Sequence, residues 1–278
     1  MTVCNVCFRH CDIPEGGTGF CGGRVCKGGQ VIAGNYGRVT SLALDPIEKK
    51  PLKHFHPGSL ILSVGSYGCN LRCPFCQNYS ISWSEEAQRQ AKRTEHLTPE
   101  TIARTALVYR DKGNLGVAFT YNEPLIGYEF VRDTARLVHE QGMQNAMVTN
   151  GTAELAVLEE LLPYIDAMNI DLKGFTDRYY TEVLGGNRKM VMDFIERAVR
   201  DCHVELTTLI VPGENDSIEE MQNLTKWVAG LDRSIPLHIS RFFPRFHMTD
   251  RDATDVARIY ELVETARAEL DHVYPGNC

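Results

Sequence analysis

From Ser59 onward, short apolar runs alternate with amphipathic stretches, and this alternation limits the fold more than any other feature of the chain. "SLILSVG", "LGVAFT", "NAMVTN", "DAMNIDLKG", "VELTTLIVPG" and "IPLHISRF" have the length and apolar character of buried strands. Helical patterns separate them: about Pro99 to Lys112, one reaching His139, one beginning near Ala153, stretches up to Arg200, then Ser217 to Ala229 and Ala253 to Leu270. Strands apolar on both faces, each followed by a helix, build a parallel sheet covered by helices. About six β/α units are expected.

Special residues stand at the ends of these runs: Cys69, Glu123, Asn150, Asp171, Lys173, Pro212, His238 and Arg241. A doubly wound sheet concentrates its site at one switch point, whereas a parallel barrel draws on the carboxyl end of every strand. The spread therefore favours an α/β fold with a partial parallel (β/α)6 TIM-like barrel. GxxxxGK[ST] does not occur, so no P-loop competes with that reading. Residues 1–58 differ, being rich in Gly and Cys with short β-like pieces such as "QVIAG" and "RVTSLAL". They are expected to form a small Cys-rich N-terminal metal-binding domain, with residues 59–278 as the barrel.

The chain carries ten cysteines, and their clustering matters more than their number. No apolar run approaches the ~18–20 residues of a membrane helix, and "MTVCNVCFRHCD" lacks the apolar core of a signal peptide. A cytoplasmic protein is the expectation, and in a reducing compartment clustered thiols indicate metal or redox sites. The net charge of −7 argues against a nucleic-acid partner. In "YGCNLRCPFCQN", Cys69, Cys73 and Cys76 suit zinc or an iron–sulfur cluster. A structural zinc site wants four protein ligands, and no fourth lies nearby in sequence. A [4Fe–4S] cluster on three cysteines leaves one iron open to an exchangeable ligand. Further upstream, Cys4, Cys7, Cys11 and Cys21 are enough for a closed zinc site or a second Fe–S cluster, with Cys26 spare or an alternative ligand.

The loop C-x3-C-x-aromatic-C, with Phe75 as the aromatic, follows the first strand of the expected barrel. It resembles the radical S-adenosylmethionine (SAM) enzymes, in which SAM chelates the open iron through its amino and carboxylate groups. That resemblance implies a [4Fe–4S] cluster and SAM as cofactors. It also implies that Glu123 of "TYNEP" accepts a hydrogen bond from the SAM amino group, although Tyr121 and Asn122 replace the two glycines usual there. Asn150 of "VTNG" would lie near the ribose. "DLKG" resembles glycyl-radical activating enzymes, such as those of pyruvate formate-lyase, with Lys173 approaching the SAM carboxylate beside Asp171 and His238 reaching the adenosyl side. "DPIEKKPL" and the N-terminal cysteines resemble the AmmeMemoRadiSam-type subgroup, whose genes tend to lie near those of Memo-like and AMMECR-like proteins. That subgroup commonly continues into a C-terminal cysteine pair, whereas this sequence ends at Cys278.

The implied function is reductive cleavage of SAM to a 5′-deoxyadenosyl radical that abstracts hydrogen from a small-molecule or protein substrate. The electron would come from a donor such as flavodoxin or ferredoxin. Two other readings stand beside it: activation of a glycyl-radical partner enzyme, and a non-catalytic Fe–S electron-transfer module. Tyr121, Arg241 and Phe243 are candidates for the barrel mouth.

Overall fold

The computed structural model describes residues 1–91 and 93–278. Two small antiparallel pairs come first: β1 (Thr2–Val3) with β2 (Asp12–Ile13), and β3 (Arg24–Lys27) with β4 (Gln30–Ala33). The main sheet has eight strands in chain order. They are β5 (Ser41–Pro46), β6 (Leu60–Gly65), β7 (Asn114–Phe119), β8 (Gln144–Thr149), β9 (Ala167–Asp171), β10 (His203–Ile210), β11 (Leu237–Arg241) and β12 (Val273–Gly276). From β6 to β12 every pairing is parallel; β5 runs antiparallel at the edge. The connecting helices are α1 (Tyr79–Ser82), α2 (Glu85–Ala91), α3 (Pro99–Val108), α4 (Tyr128–Glu140), α5 (Leu155–Leu161), α6 (Arg188–Ala198), α7 (Ile218–Leu231) and α8 (Val256–Arg267).

Local chemistry explains the helix starts. Thr98 caps α3 by accepting from Thr101 N–H, with Pro99 at the first turn where its missing donor costs nothing. Ser217 caps α7 through Glu220 N–H, Asn187 caps α6 through Met190 N–H, and Asp255 caps α8 through Ala257 N–H. Each long helix then buries one stripe; on α4 it is Phe130, Val131, Thr134, Ala135 and Val138. No described helix is long and apolar enough to cross a membrane.

The six β/α units expected from the sequence are β6 to β11 with their helices, and two further strands extend the sheet. β12, "VYPG", looks like a turn by composition, yet an edge strand tolerates proline because one side of its ladder is free. β5 lies before residue 59 and pairs along its whole length with β6, from Ser41 opposite Gly65 to Pro46 opposite Leu60. A division at residue 58 therefore separates segments that one sheet joins.

The segment between β5 and β6 fills the end of the barrel at which the parallel strands begin. Ile47, Leu52 and Phe55 pack with Ile61, Ala118, Ala146 and Ala167, all buried. Three alanines on neighbouring strands leave the room that the three larger side chains occupy. Glu205 of β10, fully buried, accepts from Lys53 N–H at 3.0 Å and His54 N–H at 2.7 Å, and Asn169 Nδ2 donates to the Pro51 carbonyl at 2.9 Å. "DPIEKKPLKHF" is thus the floor of the barrel, and the opposite, carboxyl end stays available for a site.

Candidate functional site

The cysteine loop leaves the carboxyl end of β6 through Gly68. There φ is +92°, and a Cβ would come within 2.7 Å of the Cys21 carbonyl oxygen. Cys76 N–H closes a turn onto the Cys73 carbonyl at 3.2 Å, and Leu71 N–H points at Cys69 Sγ at 3.4 Å. Phe75 is buried and meets Phe242 edge-on at 6.1 Å, which anchors the loop from beneath. Burial pushes the Cys69 thiol well above its ordinary range and Cys73 up to about 12, while the Lys173 ammonium pulls Cys73 back. Buried thiols become thiolates when a metal supplies the positive charge. Three thiols on one loop, Cys73 buried and Cys69 and Cys76 partly so, with a lysine beside them, fit a [4Fe–4S] cluster. Among the described residues no three Cys, His, Asp or Glu side chains form a ready metal-binding group.

The strand-end residues expected near SAM behave differently from one another. Asn150 stands beside the loop, with Nδ2 3.7 Å from Cys69 Sγ and 3.0 Å from Asn70 Oδ1. Asp171 and Lys173 form a 2.8 Å ion pair. Burial disfavours the Lys173 charge, yet Asp171 and Cys73 outweigh that cost and hold its pKa above the usual lysine range. Glu123 is buried and accepts from Leu125 N–H at 3.0 Å, Thr149 Oγ1 at 2.7 Å and Asn150 N–H at 2.8 Å. Burial raises its pKa to about 7 even though these donors favour the carboxylate. Its evident task is to pin the ends of β7 and β8 together, which leaves little free valence for another donor.

His238 requires a correction. It is the second residue of β11, and its Nε2 lies 2.6 Å from Glu205 Oε2, so it belongs to the floor network rather than to the cysteine loop. The cause is Glu205: a fully buried carboxylate needs cationic or N–H partners. Burial pushes its pKa up, but His203, His238 and the two floor N–H groups more than reverse this, to about 2.

Over the loop lies an aromatic cover that sequence reasoning missed. Tyr79 stacks on Phe246 at 4.4 Å, Trp83 meets Phe246 edge-on at 5.0 Å, and His247 N–H donates to the Pro74 carbonyl at 2.8 Å. The aromatic density of "RFFPRFH" and "NYSISW" was the available signal. Arg241 stacks on the half-exposed Phe243 at 4.8 Å and donates to the Thr254 carbonyl. Tyr121 takes φ +74°, and its hydroxyl donates to Asp45 at 2.7 Å with Lys50 over its ring.

In the N-terminal segment, Cys4, Cys7, Cys11 and Cys21 line one small cavity walled by Val6, Ile13 and Ile126. Cys4 N–H donates to the Cys11 carbonyl at 2.9 Å, which folds the segment on itself. Burial raises Cys7 to about 11 and Cys21 in the same direction. The donor set suits tetrahedral zinc or a cluster. Cys26 does not join them; its thiol lies 3.6 Å from Thr2 Oγ1 and Glu15 Oε2.

Comparison with known proteins follows the same lines. Residues 63–226 match the family model described as the Radical SAM superfamily. An uncharacterized protein of Methanocaldococcus jannaschii is 40% identical over 99% of this chain and 80% of its own length. The pyruvate formate-lyase-activating enzyme of Clostridium pasteurianum is 29% identical over 59% of this chain and 67% of its own. Among solved structures, Streptococcus suis SuiB bound to S-adenosylmethionine aligns with a TM-score of 0.60 at 15% identity, over 78% of this chain and 52% of that one. The chain thus spans about half of SuiB, and that likeness speaks for the fold alone. Family membership implies a [4Fe–4S] cluster and SAM as cofactors. With a match over more than half its length, the chain belongs to the radical SAM superfamily and is an enzyme of SAM-dependent radical chemistry.

Proposed function

We propose that Cys69, Cys73 and Cys76 hold a [4Fe–4S] cluster and that SAM binds over it at the carboxyl end of the barrel. The observation that carries this reading is the loop itself: three thiols on one short loop, Cys73 buried and Cys69 and Cys76 partly so, beside the Lys173 ammonium. A cluster held by Cys69, Cys73 and Cys76 would supply one electron for cleavage of the S–C5′ bond of SAM, the products being methionine and a 5′-deoxyadenosyl radical able to take hydrogen from a substrate.

The chain's residues do the rest. Lys173, oriented by Asp171, presents its remaining N–H groups to the SAM carboxylate. Asn150 holds Cys69 from the β8 side, and Glu123 fixes the two strand ends that carry both. The aromatic cover of Tyr79, Trp83 and Phe246 keeps water from the loop. Cys4, Cys7, Cys11 and Cys21 hold zinc or a second Fe–S cluster in a unit set ahead of the barrel. A flavodoxin- or ferredoxin-type protein delivers the electron.

Activation of a glycyl-radical enzyme is a second reading, favoured by the relatives named as activating enzymes and by the "DLKG" strand end. A glycyl-radical EPR signal in a co-expressed partner distinguishes it from action on a small molecule. The experiment that tests the main reading is anaerobic. The chain is reconstituted with iron and sulfide, reduced with dithionite, given SAM and assayed for 5′-deoxyadenosine by mass spectrometry. Slow cleavage without substrate supports the reading. No cleavage, with a cluster EPR signal indifferent to SAM, overturns it in favour of an electron-transfer module.

A further inference from the structure

The two cysteine segments are joined more closely than their separation in sequence suggests. Cys69 N–H donates to the Cys21 carbonyl at 3.1 Å, so a single hydrogen bond links a residue of one thiol set to a residue of the other. Each segment also sends an arginine into its neighbour. Arg9, between Cys7 and Cys11, donates from Nε to the carbonyl of Asn70, next to Cys69, at 2.7 Å. Arg72, between Cys69 and Cys73, donates to the carbonyl of Phe20, next to Cys21. The exchange is reciprocal.

Both guanidinium groups stack on Phe20, 3.4 Å and 3.8 Å from its ring centroid. At those distances one face has no room for both, so they occupy opposite faces. A ring attracts each cation separately, but two like charges that close repel one another. The groups facing Arg9 are the thiols of Cys7, Cys11, Cys69 and Cys21. Those facing Arg72 are Cys69, Cys21 and Cys73, together with Arg9 itself. Among the described residues no carboxylate pairs with either arginine, and none is among the strongest charges acting on them. Two paired cations without a carboxylate make electrostatic sense when the sulfurs around them are metal-bound thiolates.

We propose that Arg9, Phe20 and Arg72 form a charge clamp that couples the two metal centres. A metal in the four-thiol site fixes Cys21 and Phe20, and through them the backbone of Cys69. The two guanidinium charges, shared by both sites, stabilise the more negative, reduced state of the cluster on Cys69, Cys73 and Cys76 and so raise its potential. Coupling of this kind is reciprocal: whatever changes the charge of one centre changes the other. The inference rests on the reading that both thiol sets hold metal. Arg9 and Arg72 are positioning residues in it, acting through the cluster.

The test is an EPR-monitored redox titration of the reconstituted full chain without SAM, with iron, sulfide and zinc counted per chain. In Arg72→Gln the potential shifts negative. The reduced-to-oxidised ratio at a fixed solution potential falls about tenfold, which is about 59 mV for one electron. Arg72→Lys, which keeps the charge but not the fork, recovers most of that shift. Phe20→Leu leaves every ligand and both charges in place and gives a smaller negative shift, which guards against a misfolded arginine variant. Arg9→Gln has a smaller effect when Cys4→Ser and Cys7→Ser have emptied the four-thiol site than when that site is intact. A potential unmoved in Arg72→Gln, or moved equally in the Gln and Lys variants, overturns the clamp. A four-thiol site without metal beside an intact cluster overturns the coupling. Absence of any cluster signal in the unaltered chain overturns the proposed function itself, a separate observation.

Discussion

The two ends of the barrel bury ionisable groups in opposite ways. At the floor, Glu205 is fully enclosed and all its partners are protein: two backbone N–H groups and two histidines hold its pKa near 2 against the pull of burial. At the carboxyl end, Cys69 and Cys73 meet few donors, and burial wins, pushing Cys73 up to about 12. A buried charge that the chain itself balances stabilises the fold, whereas one left without a partner is costly until something binds. Polar residues at successive strand ends therefore do not all serve one site. Only those whose valence the chain leaves open are equipped for a ligand.

The largest effect that would break this contrast is on the open side. Cys73→Ala should reduce 5′-deoxyadenosine formation to the level without enzyme while leaving the urea midpoint little changed, since a thiol-to-methyl change in a loop creates a small cavity. Undiminished product from that variant would falsify the cluster assignment. On the closed side the balance reverses. Glu205→Ala strands His203, His238 and the floor N–H groups, and should cost about 3–5 kcal/mol in urea unfolding, as when one partner of a buried pair is removed. A loss below about 1 kcal/mol would mean that the floor network is not structural.

How far the sequence reveals these two ends depends on which signals are local. The parallel alternation, the cysteine loop and the "DLK" pair are local patterns, and the structure has Asp171 and Lys173 together with Cys73 close by. His238 was misplaced because its position on β11 is readable but the identity of its partner is not. Glu205 lies on another strand, and no periodicity announces that a carboxylate within "VELTTLI" faces inward. β12 was missed because proline and glycine in four residues mask a strand that only the edge of a sheet tolerates. Spacing counts thiols without saying which cavity each lines, so by sequence alone Cys26 reads as spare or as an alternative ligand.

The pH dependence sharpens the comparison next. The folded pKa of Glu205 is depressed to about 2 from an unfolded value near 4.3. Its stabilisation is therefore complete above about pH 4.5 and is lost as pH falls through the folded value. The shift corresponds to roughly 3 kcal/mol at most. Glu205→Gln should flatten the urea midpoint between about pH 4.5 and 2, and an unaltered slope in that variant would assign the acid transition elsewhere. At the open end, Lys173→Gln should weaken SAM binding about 10- to 100-fold, the worth of a charge-assisted hydrogen bond of about 1.5–3 kcal/mol. Equilibrium dialysis on the reconstituted protein reads it, and an unchanged affinity would remove Lys173 from the site.

The smallest expected effect belongs to the residue that spans both ends. Tyr121 begins at the carboxyl end of β7, where its left-handed backbone is unusual for a non-glycine residue, and its hydroxyl reaches back to Asp45 on β5. Asp45 also pairs with Lys50 of the floor at 2.8 Å, and that pair with the Tyr121 hydroxyl holds its pKa below the usual carboxylate range despite burial. Tyr121→Phe removes one hydrogen bond and keeps the ring under the Lys50 ammonium, and Lys50 continues to satisfy the carboxylate. About 1 kcal/mol of stability should be lost, the net worth of a single hydrogen bond. If urea unfolding instead shows a loss above about 2 kcal/mol, Asp45 was relying on Tyr121 more than on Lys50. The floor and the mouth would then be one cooperative unit, and their contrasting treatment of charge would not make them independent.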